Sequence, residues 1–292
     1  MVQILPSTVR PRTRVRALLA PQAAAFGLSL KRARRRYAAE EVHRLRALAR
    51  RLRAGLRLFR RELGEDDAAG LAVRLGGWVR GLGAARDVDV WLTWLARSET
   101  AGFVSTHPAW PAIVAQEAQR QEPTQEKARR FLRSEAHDAL LSELKRVVGP
   151  VRLSGCWVVI PPVRARRKLR RLLRRLGTER DPLSRDSLGR VHEFRRECRR
   201  ARYWAELLAP SLGRPGARLR EELRALADEL GLQRDADLVV RRLSRRQAWW
   251  TDAVRHRARR ISKRTGRKFT RRWRRFRRRL GNVETLLATR GH

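Results

Sequence analysis

Two segments of this chain carry the same helical pattern, 149 residues apart. VHRLRALARRLR runs from Val42 to Arg53, and VHEFRRECRRAR runs from Val191 to Arg202. His43 aligns with His192. Arg46, Arg50, Arg51 and Arg53 align with Arg195, Arg199, Arg200 and Arg202. Farther on, LGAARDVDVWL from Leu82 echoes LGLQRDADLVV from Leu230 at an offset of 148. That offset matches Arg86-Asp87-x-Asp89 to Arg234-Asp235-x-Asp237. Two anchors with nearly one offset predict an internal duplication.

Placing successive residues about 100° apart separates two arcs on each helix. Val42, Leu45, Leu48, Ala49, Leu52, Leu56 and Phe59 form the predicted core face of the first. Val191, Phe194, Cys198, Ala201, Ala205 and Leu208 form that of the second. Beside the first face runs a narrow stripe of His43, Arg46, Arg50, Arg53 and Arg57. His192, Arg195, Arg199 and Arg202 repeat it. Like charges three or four residues apart destabilise a helix by a few tenths of a kcal/mol per pair, about 0.2–0.5. A solvated face is the plain reading, since arginine stems also cover apolar surface. A ligand track is the sharper one. From His43 to Arg57 the stripe is roughly 21 Å long at about 1.5 Å per residue, which suits an extended polyanion. Arginine forks bind phosphate oxygens in pairs, and a histidine beside them gains a proton as negative charge approaches.

Composition points the same way. The 292 residues include 70 basic and 29 acidic side chains, a formal charge of +41. A compact state with this charge repels itself, and a polyanion relieves the repulsion. Apolar residues make up 42%, enough for a real core. The preference for arginine over lysine also fits a codon bias, but a bias does not predict placement. Cys156 and Cys198 form no zinc motif, and Cys198 reads as a buried free thiol. VRLSGCWVVIPPV is too short to span a membrane and is broken by proline. No membrane insertion and a cytoplasmic location are expected.

The fold class expected is all-α: two four-helix bundles related by a pseudo-twofold axis. Residues 1–27, with Pro6, Pro11 and Pro21, are expected to be irregular. The first helical half spans 28–149, a linker spans 150–163, and the second half spans 164–282. Breaks are expected at 177–186, 210–215 and Gly231. CWVVI is the one strand-like run, too short and isolated to build a sheet.

Further basic positions extend the stripes. Lys31, Arg34 and Arg35 precede the first; Arg164, Arg167, Lys168 and Arg171 precede the second. The terminal segment KRTGRKFTRRWRRFRRRL adds Lys263, Arg267, Lys268, Arg271, Arg274 and Arg275, with Phe269, Trp273 and Phe276 toward a core. If the bundles face each other, these surfaces line one positive channel. Asp87, Asp89, Asp235 and Asp237 read as structural or bracing residues at helix starts rather than metal ligands, because a lone RDxD is weak evidence for a metal. No P-loop, HExxH or nucleophile elbow is present, and no catalytic set or cofactor is expected.

These residues resemble the CHAD family, the conserved-histidine α-helical domains. EEVHRLRALARRLRAGLRLF resembles its first signature helix and LGRVHEFRRECRRARYWAELLAP its second; LGAARDVDV and LADELGLQRDADLVV resemble the elements after them. The likeness spans roughly 28–280, so 28–282 is expected to form one CHAD-like domain. The resemblance implies two four-helix bundles around a basic central cavity that binds inorganic polyphosphate, with the signature histidines at His43 and His192. Some relatives carry a triphosphate-processing CYTH domain, whose ExExK signature is absent here, so hydrolysis is not carried over. Association with polyphosphate granules is likewise an implication of the resemblance. The main rival is nonspecific nucleic-acid binding, although the tryptophans do not interleave with arginine as stacking platforms do. A metal-dependent polyphosphate-processing enzyme is third and requires the aspartates to converge on a metal.

Overall fold

The computed structural model describes residues 3–4, 9–97, 102–150, 157–159, 161–180, 182–183, 188–244 and 246–288. Cys156 and half of the 150–163 linker lie outside them. The architecture is α-helical. In chain order the first helices are α1 (Pro11–Arg35), α2 (Ala39–Leu58), α3 (Arg60–Leu63), α4 (Glu65–Gly81) and α5 (Gly83–Ala96). A 3-10 turn (Gly102–Thr106), α6 (Trp110–Arg133) and α7 (Ala136–Val148) follow. The later chain forms α8 (Val163–Thr178), α9 (Leu188–Leu208), a 3-10 turn (Ala209–Leu212), α10 (Gly213–Leu243), α11 (Thr251–Arg278) and α12 (Leu280–Ala288). Gly64, at φ 98°, supplies the left-handed residue that separates α3 from α4. Among the described residues no helix is long and apolar enough to cross a membrane.

Three expectations are corrected. The segment before residue 28 is not irregular, because α1 starts at Pro11 and continues through Pro21. Proline is tolerated in the first turn, and Val15, Leu19, Phe26 and Leu30 form a fully buried stripe that holds the rest of the helix in place. Gly231 does not break α10. Its interior penalty of about 1 kcal/mol is outweighed by the buried Leu226, Leu230, Ala236 and Val239 on either side. The strand-like run does find a partner: β1 (Gln3–Ile4) pairs in parallel with β2 (Trp157–Val158), two residues each.

The first half packs α1, α2, α4 and α7 against one another, and the second packs α8 to α12 in succession. The hydrophobic core does not divide at the linker. One cluster joins Leu45, Leu52 and Trp78 to Leu169, Phe194, Cys198 and Trp273. The other joins Trp91, Trp94 and Trp110 to Val239, Trp250 and Val254. Cys198 is a buried free thiol, pushed well above its ordinary pKa by burial. A buried carboxylate ties the second cluster together. Glu117 accepts hydrogen bonds from Trp91 Nε1 (3.0 Å), Arg120 (2.8 Å) and Arg246 (2.7 Å).

The two halves also meet where α2 crosses α9. Every predicted core residue from Val42 to Phe59 is buried, as are Phe194, Cys198, Ala201, Ala205 and Leu208. Trp204 Nε1 donates to the Ala54 carbonyl at 2.9 Å. A Cβ at Gly55 would stand 2.5 Å from Leu19 Cδ2 and 3.4 Å from Leu207 Cδ1. Leu19 is fully enclosed, so it has no free space to yield. Gly55→Val is therefore expected to destabilise the protein by about 1–3 kcal/mol through overpacking, despite the poor helix propensity of glycine. A urea unfolding midpoint would show the loss; an unchanged midpoint would mean that the crossing tolerates separation.

Candidate polyanion crevice

The crossing places part of each stripe on one crevice of about 520 Å³, while His192 is exposed and does not line it. His43, Arg50 and Arg51 enter it from α2, and Arg195, Arg199, Arg202 and Tyr203 from α9. Arg86 from α5 and Arg224, Asp228, Arg234 and Asp235 from α10 complete the wall. Helical periodicity does not single out Arg86, Arg234 and Arg224 as wall residues; the repeated RDxD clusters are the sequence signal for the first two.

The charges in this wall fall into two kinds. Some are matched. Arg202 donates to Glu206 (2.9 Å) and Asp228 (2.8 Å), and Arg51 pairs with Glu206 at 3.1 Å. Arg195 bonds Gln233 at 3.1 Å and approaches Asp237 at 3.4 Å; Asp237 also accepts from Ser262 at 2.7 Å. Arg234 spans the halves to Asp87 at 2.9 Å and lies 3.8 Å from Asp235. Arg50 and Arg199 are the unmatched kind: among the described residues neither has a carboxylate partner. Burial lowers the pKa of each; Arg50 and Arg234 lower that of Arg199 further, and Arg234 and Arg86 that of Arg50, partly against the pull of Asp87. His43 is lowered by burial and then by Arg86, Arg50 and Arg46. His192 is lowered by burial and then by Arg196, Arg199, Arg195 and Arg234. The empty crevice therefore disfavours added positive charge.

The remaining predicted positions do not join a single channel. Arg57, Arg164 and Arg167 line a second crevice of about 680 Å³ with Arg60, Arg61, Lys168, Arg171, Arg200 and Trp204. Lys168 Nζ donates to the Leu58 carbonyl at 2.6 Å. Lys263, Arg267, Arg271 and Arg274 line a third groove of about 1040 Å³ between α10 and α11. Lys31 and Arg35 are exposed on α1 and line none of the three. Arg46 is buried and donates to the Val79 carbonyl; its pKa falls to about 9 through burial and the nearby Arg50. The Arg53 guanidinium covers Gly76, where a Cβ would lie 3.1 Å from Cζ.

Asp87, Asp235 and Asp237 lie within 4 Å of arginine, but not as helix-start charges. α5 has no acidic residue in its first turn, and Asp235 lies deep inside α10. Tertiary pairing with Arg234 and Arg195 positions them instead. Among the described residues no three His, Cys, Asp or Glu side chains group as a metal-binding set.

Residues 17–244 match the CHAD domain family. Among solved structures, the chain is similar to the crystal structure of the CHAD domain from the plant Ricinus communis. That likeness has a TM-score of 0.62 at 20% identity and covers 100% of this chain and 96% of the other. It concerns the fold. No curated protein matches.

Asp89 differs from its counterpart Asp237. It is buried, its Oδ2 has no hydrogen-bond partner, and burial raises its carboxyl to about 6 against the pull of Arg86 and Arg46. The folded-state value stands above the unfolded one, so the stability Asp89 confers is present in acid and lost as pH rises through about 6. Asparagine mimics the protonated acid. Asp89→Asn is expected to stabilise the fold by about 2 kcal/mol at pH 8 and by almost nothing at pH 4. Thermal unfolding at the two pH values checks the difference; a variant less stable at pH 8 would show that the charge itself is needed.

Proposed function

This chain belongs to the CHAD domain family, and we propose that it binds inorganic polyphosphate, without transforming it, in the crevice between α2 and α9. The observation that carries this reading is the Arg50–Arg199 pair: two half-buried guanidinium groups on one crevice, neither of which makes a salt bridge among the described residues, although Asp87 and Asp235 stand nearby. A phosphate chain brings closely spaced anionic oxygens and meets each fork with two hydrogen bonds. Arg234, held by Asp87, and Arg86 stand beside them as further donors. Arg202 and Arg195 are tied to carboxylates or amides and shape the wall more than they supply free charge. Asp87, Asp235 and Asp237 lie beside arginine, which supports a binding role rather than a catalytic one. Cytoplasmic work beside polyphosphate granules fits this reading.

Nucleic acid is less suited to this crevice. Single strands are held by exposed aromatic platforms. Among the described residues Trp249 is the large exposed aromatic side chain, and it does not line the crevice.

Reversing Arg50 and Arg199 to glutamate is expected to weaken long-chain polyphosphate binding by about a hundredfold or more, since each lost charge-assisted bond is worth about 1.5–3 kcal/mol. Competition titration at near-physiological salt measures it, with circular dichroism confirming the fold. Retained affinity would move the site elsewhere.

Burial and then the neighbouring arginines hold His43 and His192 below their ordinary pKa, and a bound polyanion offsets the arginine part. Binding then takes up protons, so affinity rises as pH falls. A rise of up to about tenfold per histidine is expected for each unit by which binding raises its pKa. The His43→Gln/His192→Gln variant should show a flat profile between pH 8 and 6. A wild-type profile that is already flat would mean that the histidines do not sense the ligand.

A further inference from the structure

A second basic surface is the outer face of α11, all of which lies beyond the family match that ends at residue 244. Phe269, Trp273 and Phe276 point inward and are buried. Arg260, Arg264, Arg267, Arg271 and Arg278 run along the exposed crest, all within about 40° of one line at 100° per residue. Lys263 and Arg274 flank this crest on one side, Lys268 and Arg275 on the other. Among the described residues none of these nine side chains has an ion pair. The acids along the edge are engaged elsewhere: Glu229 pairs with Arg272 at 3.0 Å, and Glu222 with Arg279.

We infer that this face docks the phosphate backbones of a DNA duplex. A helix about 10–12 Å across fits the width of the major groove, about 12 Å. Its two basic flanks then face the two phosphate rows. A single polyphosphate chain offers one row and leaves a flank unused. The crest from Arg260 to Arg278 is about 27 Å long at 1.5 Å per residue, or roughly eight base pairs at 3.4 Å each. No aromatic side chain is exposed on it, so it cannot stack unpaired bases as single-strand binders do. No large apolar side chain is exposed on it either, so it lacks the anchors of a membrane-surface helix. The deep, narrow major groove of an RNA duplex excludes a helix. The contacts are to phosphate, so binding is sequence-independent and salt-sensitive. This surface stands apart from the crevice and does not depend on the polyphosphate reading.

The experiment is fluorescence anisotropy of the full chain with a labelled random-sequence duplex of about 20 base pairs at about 150 mM salt. Two α11 variants are compared, with Arg260, Arg264, Arg267 and Arg271 changed together to glutamate or to glutamine, and with folding checked by circular dichroism. Both should lose duplex affinity, by at least about tenfold, and keep polyphosphate affinity within about threefold. The Arg50→Glu/Arg199→Glu variant should keep duplex affinity. The inference is overturned if the α11 variants bind duplex as the parent does, or if the crevice variant loses duplex binding. It is also overturned if single-stranded DNA, duplex RNA or anionic vesicles bind the parent as well as duplex DNA and lose that binding in the same α11 variants. Polyphosphate binding that survives in the crevice variant would sink the crevice reading and leave this one standing.

Discussion

Arg50 and Arg199 are held on one crevice wall without a salt bridge among the described residues, and much of the surrounding structure keeps them there. Their helices cross at a point closed by Gly55, Leu19 and Leu207 and pinned by the Trp204 bond to Ala54. The apolar cores on both sides supply the free energy that mutual repulsion removes. The Asp87–Arg234 pair then spans the halves beside the crevice. It fixes a third guanidinium at the rim while adding little net charge. The result is a cavity whose field is set by rigid elements rather than by mobile side chains. Such preorganised sites lose little on reorganising around a ligand.

The sequence spoke most clearly where helical periodicity and tertiary packing agree. The core faces of α2 and α9 are legible because an apolar arc fixes the orientation of everything beside it; whether the two stripes meet is not, since that depends on how the helices pack. Arg46 was misjudged for the same geometric reason. It lies at the core edge of its stripe, and its long stem follows Leu45 and Ala49 inward until the guanidinium reaches the Val79 carbonyl. α1 was hidden because Pro11 and Pro21 read as breakers, while the Val15–Leu30 stripe that overrides them needs partners distant in sequence. The arrangement of α11 beside α10 was not legible at all. Periodicity tells which face of a helix is buried, not which neighbour covers it, and so one imagined channel became three separate crevices.

Residues at matching positions do not do matching work. Arg195 reaches Asp237, which also holds Ser262. At the equivalent positions Arg46 turns to a backbone carbonyl and Asp89 keeps an unpartnered oxygen. The neighbouring Tyr37 phenol is pushed up to about 12 by burial and by Asp89. At these positions one half leaves the Asp89 oxygen unmet, while the other pairs Asp237 with Arg195 and Ser262.

The mixed membership of the second hydrophobic cluster bears on how the chain is made. Trp91, Trp94 and Leu95 pack against Val239, Trp250 and Val254, which the ribosome adds well over a hundred residues later. At about 5–20 residues per second, those side chains wait on the order of ten seconds for their partners. During that interval the nascent first half carries exposed tryptophans on a strongly cationic chain next to ribosomal RNA. A molecular chaperone acting on this protein would meet it there, before the second half has emerged.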